Sequence, residues 1–133
     1  MTWTTFHRRE DVLRDAIAAV DARRDGLLPM DAPGVAEAFG DELTLLGALQ
    51  LRWHTRLAGR VERELMLAPD DPEAAVDTAW RTTARELAGV RAVLDHYRDH
   101  PLDDRMAEVT ARSTRNERRL LAALSGRVPH HAA

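Results

Sequence analysis

The chain of 133 residues contains no cysteine and no lysine. The absence of cysteine excludes disulfides, thiolate metal sites and cysteine nucleophiles, and it is compatible with a reducing compartment. The absence of lysine excludes mechanisms that begin with a Schiff base, and all 19 basic side chains are therefore arginine. We interpret this exclusive use of arginine as the codon usage of a GC-rich, bacterial genome.

Long apolar runs are also missing. No segment approaches the roughly 20 apolar residues that a bilayer-spanning helix needs. The seven residues before the first arginine, Arg8, hold no apolar stretch long enough for a secretory signal. The sequence therefore predicts a soluble, cytoplasmic protein with no membrane partner.

Motifs that carry chemistry are scarce. The 7 glycines are scattered and form no phosphate-binding loop, and neither Ser113 nor Ser125 lies in a Gly-x-Ser-x-Gly turn. No glutamate has a histidine three residues later, which excludes the paired Glu-x-x-His motifs of di-iron bundles. The sequence thus predicts no cofactor and argues against an enzyme.

Two further patterns can be interpreted either as functional sites or as ordinary solvent-exposed surface. His96 and His100 have a spacing that can chelate a metal, but helical geometry places His96 on the outward face, so we predict a solvated helix end and no metal. The second half of the last helix carries four arginines without interleaved aromatic residues, and the net charge is −3. We therefore expect intramolecular ion pairs there and no nucleic-acid partner; these arginines are Arg112, Arg115, Arg118 and Arg119.

The sequence shows clear helical periodicity. Apolar residues recur every three or four positions in four segments, at about 5–24, 42–67, 71–100 and 102–124, and no segment alternates like a strand. Asp41 is a natural N-cap before the second segment, and Asp71 followed by Pro72 starts the third. His100 followed by Pro101 ends it.

These segments predict an all-α fold, an antiparallel up-down-up-down four-helix bundle. One domain would cover residues 1–126, and a flexible tail would follow at 127–133. The links after the second and third helices hold only a few residues, which favours antiparallel neighbours. The first link, at 25–40, is longer, and its segment 33–39 is predicted to form a short helix.

Several polar and aromatic residues fall on the inward faces of the predicted helices. Buried polar groups are costly unless they are paired. In one interpretation they satisfy each other, for instance through Glu10 or Glu117 with Arg60 or Arg91, and fix helix register. In the other they line a polar pocket around His54 that binds a small molecule. The candidate pocket residues are Gln50, Trp53, His54, Glu64, Trp80, Arg91 and Glu117.

Two further functions remain open. The apolar arc of the second helix is wider than one neighbour needs, which favours a binding module that forms a homodimer or contacts a protein partner. Leu45, Leu51 and Trp53 are the candidates for that interface. The less favoured alternative is an enzyme in which His54 acts as acid or base and Glu64 or Glu117 orients it.

Overall fold

The computed structural model describes residues 3–126 and, within that range, the side chains from residue 7 onward. The described part is all-helical, which confirms the predicted class, and it contains no strand. Its six helices are α1 Trp3–Arg23, α2 Val35–Phe39, α3 Glu42–Leu67, α4 Pro72–Glu86, α5 Ala88–Asp99 and α6 Asp104–Leu124. The predicted tail at 127–133 lies outside the described residues.

Aspartate side chains start three of the helices. Asp41 accepts a hydrogen bond from the backbone N–H of Thr44 at 2.8 Å, and Asp71 accepts one from Ala74 at 3.2 Å. Asp103 caps α6 in the same way. Each carboxylate satisfies one of the backbone donors that the first helical turn leaves without a partner. The predicted caps of α3 and α4 are thereby confirmed.

The third predicted helix is in fact two helices, α4 and α5, because the chain leaves the helical conformation at Leu87 (φ −115°, ψ 44°). Gly89 follows this break and lies against α1. A Cβ atom at Gly89 would stand 2.4 Å from Asp21 Cα and 2.6 Å from the carbonyl oxygen of Val20. The change of direction therefore brings α5 against the backbone of α1, in an approach that only glycine permits.

Helix α3 occupies the centre of the packing. It lies mainly along α4 and also contacts α2, α5 and α6, whereas α1 packs on α5 and α2. No described helix is long and apolar enough to cross a membrane. The first link is anchored because the backbone N–H of Leu28 donates to the Tyr97 hydroxyl at 3.1 Å. The buried residues that α3 contributes to the core are Leu45, Leu46, Leu49, Trp53, Leu57 and Val61.

Candidate functional site

The Glu117 carboxylate on α6 joins four helices. It accepts a short hydrogen bond of 2.6 Å from the indole N–H of Trp53 on α3. A longer one of 3.4 Å comes from the indole of Trp80 on α4, and Arg91 Nη1 on α5 lies 3.5 Å away. The predicted pair of Arg91 with Glu117 is thereby confirmed.

Other side chains contact the ring of Trp53 as well as its indole N–H. The ring of Trp80 meets it edge-on, with centroids 5.9 Å apart and planes at 75°, and the Arg91 guanidinium stands 4.6 Å above its ring centroid. Asp95 also pairs with that guanidinium, at 3.0 Å from Nε and 2.8 Å from Nη2. Among the described side chains, no buried nitrogen or oxygen lacks a hydrogen-bond partner.

His54 borders this cluster without joining its hydrogen bonds. Its Nε2 lies 3.9 Å from Glu117 Oε1, which is too long for a hydrogen bond. Partial burial lowers the pKa of His54 below its ordinary 6.5; the negative charge of Glu117 opposes this effect and the positive charge of Arg91 adds to it. The imidazole is therefore neutral at neutral pH, and its contact with Glu117 is not an ion pair there.

This lowered pKa gives a pH prediction. As the pH falls below 6.5, the unfolded chain binds a proton at His54 more readily than the folded chain does. The stability present above the pKa of His54 in the unfolded chain is therefore lost as the pH falls through its lower pKa in the folded chain. We expect urea unfolding between about pH 7 and pH 5 to show a flatter decline in the free energy of unfolding for His54→Gln than for the unmodified chain. Because the two proteins differ only at residue 54, parallel curves would contradict the assignment.

The space beside the cluster is small. A polar cleft of about 40 Å³ lies between α3, α5 and α6. One water occupies about 30 Å³ in the liquid, whereas sites for small organic ligands span roughly 300–1,000 Å³. The cleft can therefore hold a water molecule but not a small organic ligand. The predicted pocket residues that line it are Gln50, Trp53, His54, Arg91 and Glu117.

Two predicted pocket residues lie outside the cleft. Trp80 reaches Glu117 from α4 but does not line the cleft. Glu64 follows His54 by ten residues on α3, which separates their Cα atoms by roughly 15 Å along the helix axis. Helical periodicity places both residues on the inward faces of their helices. It does not show at which height along the helix axis a residue of the neighbouring helix lies.

Glu10 and Arg60 form ion pairs with other residues than the sequence predicts. Glu10 lies 3.7 Å from Arg52, on the side of α3 that faces α1. Arg60 pairs with Glu86 at 2.6 Å. The predicted pairing of Glu10 or Arg60 within the inward cluster is therefore wrong, since both side chains belong to the rim.

The two histidines at the end of α5 contact each other. The rings of His96 and His100 stack with centroids 5.0 Å apart, and His100 Nδ1 lies 3.3 Å from the carbonyl oxygen of His96. Within residues 7–126, no group of three or more histidine, aspartate or glutamate side chains is placed to hold a metal ion.

A much larger concave surface lies between α1, α2 and α3. This groove has a volume of about 680 Å³ and is open to solvent. The buried side chains of Leu13 and Phe39 form its floor, together with Ala48. Leu51 stands at its edge with 67% of its surface exposed, and Arg9 lies 4.8 Å from the centroid of the Phe39 ring.

Only one of the three interface candidates from the sequence is available to a partner. Leu45 and Trp53 are both 0% exposed because the core of the chain itself covers them. Their assignment to an interface is wrong for that reason. Leu51, by contrast, lies at the groove.

No protein-family model, curated protein or solved structure matches this chain. Its function must therefore be argued from its own surface. In the part of the chain that the structure describes, the Glu117 cluster leaves no buried polar atom without a partner, whereas Leu51 is exposed at the groove between α1, α2 and α3, which we call the α1–α3 groove.

Proposed function

We propose that the protein is an interaction module that self-associates through the α1–α3 groove. The observation that carries the proposal is the position of Leu51, an exposed apolar side chain at the edge of an apolar hollow. Monomeric proteins rarely leave such combined surface uncovered. The partner that fits is a second copy of this chain.

A two-fold interface requires a surface that complements itself. The groove meets this requirement because it presents a projecting side chain, Leu51, next to a recess floored by Leu13 and Phe39. Two copies can therefore exchange Leu51 side chains, each entering the recess of the other. The charged side chains at the groove do not oppose this, since Glu10 and Arg52 are already 3.7 Å apart within one chain.

The proposal also includes the architecture behind the groove. If α4 and α5 are counted as one broken helix, α1, α3, α4–α5 and α6 form an antiparallel four-helix bundle. The packing of α1 on α5 and α2 supports this arrangement. The groove is then the side of the bundle on which α1 and α3 stand apart.

A leucine substitution tests the interface. Full burial of a leucine contributes about 1.5–3 kcal/mol, and each dimer buries two copies. We expect Leu51→Glu to raise the dimer dissociation constant at least about 100-fold, as measured by sedimentation equilibrium. Because Leu51 is exposed in the single chain, the free energy of unfolding of the monomer should change by less than about 0.5 kcal/mol.

The matched control is Leu67→Glu, at another exposed leucine (70%) of the same helix, which lies roughly 24 Å from Leu51 along the helix axis. It should leave the dissociation constant unchanged. If both substitutions weaken the dimer equally, or if neither does, the groove is not the interface.

A further inference from the structure

Four arginines stand along one side of α3, at spacings of four, four and three residues. At about 100° per residue, these spacings keep the four side chains within roughly 80° around the helix. Together with Thr55 and Gly59 they line an open hollow of about 440 Å³, and no carboxylate is among its described lining residues. We name it the arginine hollow, after Arg52, Arg56, Arg60 and Arg63.

Three of these arginines surround Gly59. Arg56 and Arg63 lie three and four positions from it, which are the spacings at which side chains on one helix are neighbours, and Arg60 is the next residue in the chain. A Cβ atom at Gly59 would meet no described neighbouring atom within 4 Å, so the helix surface beside the three side chains is open. An anion above Gly59 therefore lies within reach of all three.

The charges around Gly59 favour an anion with two negative charges. Glu86 on α4 pairs with two of the three arginines, at 2.6 Å from Arg60 and 3.7 Å from Arg56. Arg63 has no ion-pair partner among the described residues. Three guanidinium groups against one carboxylate leave a net charge of +2 at this end of the hollow, in a chain whose net charge is −3.

The other end of the arginine hollow is polar but closer to neutral. Arg52, which also lines the α1–α3 groove, lies 3.7 Å from Glu10. The Thr55 hydroxyl has no hydrogen bond to a described residue. The other carboxylates of this part of α3 belong to Glu62 and Glu64, and they neither line the hollow nor pair with its arginines. The hollow thus joins a doubly positive site to a polar extension.

The phosphate group of a monoester is the anion that suits this site. The planar guanidinium group of arginine forms two parallel N–H···O bonds with a phosphate, and such charge-assisted bonds are roughly twice as strong as those between neutral groups. A phosphate monoester carries a charge of about −1.5 to −2 at pH 7 and has three strong acceptor oxygens. The volume of the hollow also falls within the roughly 300–1,000 Å³ of sites for small organic ligands.

We propose that the arginine hollow binds a small phosphate monoester, with its phosphate above Gly59 between Arg56, Arg60 and Arg63 and its organic part toward Arg52. None of the three phosphate-binding arginines lines the α1–α3 groove. Binding of the phosphate is therefore separate from the self-association proposed above, and each can fail without the other.

Isothermal titration calorimetry at fixed ionic strength tests the proposal, with inorganic phosphate and ribose 5-phosphate as probes and free ribose as the blank. We expect both phosphate probes to bind the unmodified chain, ribose 5-phosphate with a dissociation constant below about 1 mM, and free ribose not to bind. Arg63→Gln removes one charge-assisted contact and should raise both dissociation constants at least about tenfold. Because Arg63 is exposed and has no partner in the chain, the urea midpoint should stay unchanged.

The matched control is Arg115→Gln, which makes the same chemical change on the exposed surface of α6, outside the arginine hollow. Arg115 has no ion-pair partner among the described residues. The same holds for Arg112, Arg118 and Arg119, so the prediction of intramolecular ion pairs for these four arginines is wrong. Phosphate binding should be as strong in Arg115→Gln as in the unmodified chain.

Gly59→Gln tests the position of the phosphate without weakening the fold. The new side chain would occupy the place above the helix that we assign to the phosphate, so binding should weaken at least about tenfold. Glutamine is a better helix former than glycine, so the urea midpoint should rise. Gly47→Gln makes the same change in α3 outside the hollow and should leave phosphate binding unchanged.

Three results would overturn the proposal. If neither phosphate probe binds, the arginine hollow is not a phosphate site. Equal weakening by Arg63→Gln and Arg115→Gln would show that the probes respond only to the overall charge of the chain. Tighter binding of a short DNA duplex than of ribose 5-phosphate, weakened equally by both arginine substitutions, would assign the arginines to a nucleic-acid surface instead.

Discussion

Replacing Gly89 with alanine is expected to lower the free energy of unfolding by about 2–4 kcal/mol. The added Cβ would stand 2.4 Å from Asp21 Cα and 2.5 Å from Asp21 N, and both are backbone atoms. A flexible side chain could rotate away, but a helix backbone cannot, so α1 would have to separate from α5. Alanine's intrinsic helix preference, worth about 1 kcal/mol over glycine, offsets only part of this loss.

Urea unfolding of the Gly89→Ala variant measures the effect. Gly59→Ala is the matched control because it makes the same chemical change inside a helix at a site with open space. At protein concentrations low enough for the monomer, this control should gain about 0.5–1 kcal/mol. Equal stability changes at the two glycines would contradict the close packing of α1 on α5.

Replacing Glu117 with leucine is expected to lower the free energy of unfolding by about 2–3 kcal/mol. The substitution leaves the buried Trp53 indole N–H without its acceptor at 2.6 Å and removes a carboxylate from the largely buried Arg91. Because 18% of the Glu117 side chain remains exposed, the expected loss lies below that of a fully buried ion pair.

Glu117→Gln separates the hydrogen bonds from the charge. Trp53 and Arg91 both donate to Oε1 of Glu117, and an amide oxygen in that position can accept both. The amide NH2 cannot accept from the Trp80 indole, which donates to Oε2, and the negative charge is lost, so the loss of stability should be smaller than that of leucine. Glu108→Gln, on the exposed surface of α6, is the control and should change stability by less than about 0.5 kcal/mol. Urea unfolding followed by tryptophan fluorescence measures all three, and a leucine variant as stable as the control would refute the structural role of Glu117.

The sequence predicts well the parts of the fold that local chemistry determines. The caps at Asp41 and Asp71 and the stop at His100–Pro101 depend on residues next to each other in the chain. The break at Leu87 does not, because no proline or strong helix breaker occupies that position. It accompanies the contact of Gly89 with α1, which involves residues almost 70 positions apart and is invisible to periodicity.

The candidate site likewise combines features that the local sequence predicts with features that only the tertiary packing determines. Helical periodicity turns Trp53, Arg91 and Glu117 inward, and these residues do meet. It also turns Glu64 inward. Periodicity gives only the direction around the helix, however, and not the position along its axis, so it does not show that Glu64 lies far along α3 from His54. Likewise, periodicity places Leu45 and Leu51 at the edges of one arc, and only the packing decides that Leu45 is covered and Leu51 is not.

The function proposed for this protein depends on the binding of a second copy of the chain in the α1–α3 groove. Sedimentation velocity of the unmodified protein over a wide concentration range tests it most directly. We expect a concentration-dependent rise from the mass of one chain to the mass of two, with no larger species, because an isologous two-fold contact closes on itself. A monomer mass at every concentration up to about 1 mM, where an association would be worth only about 4 kcal/mol, would contradict it.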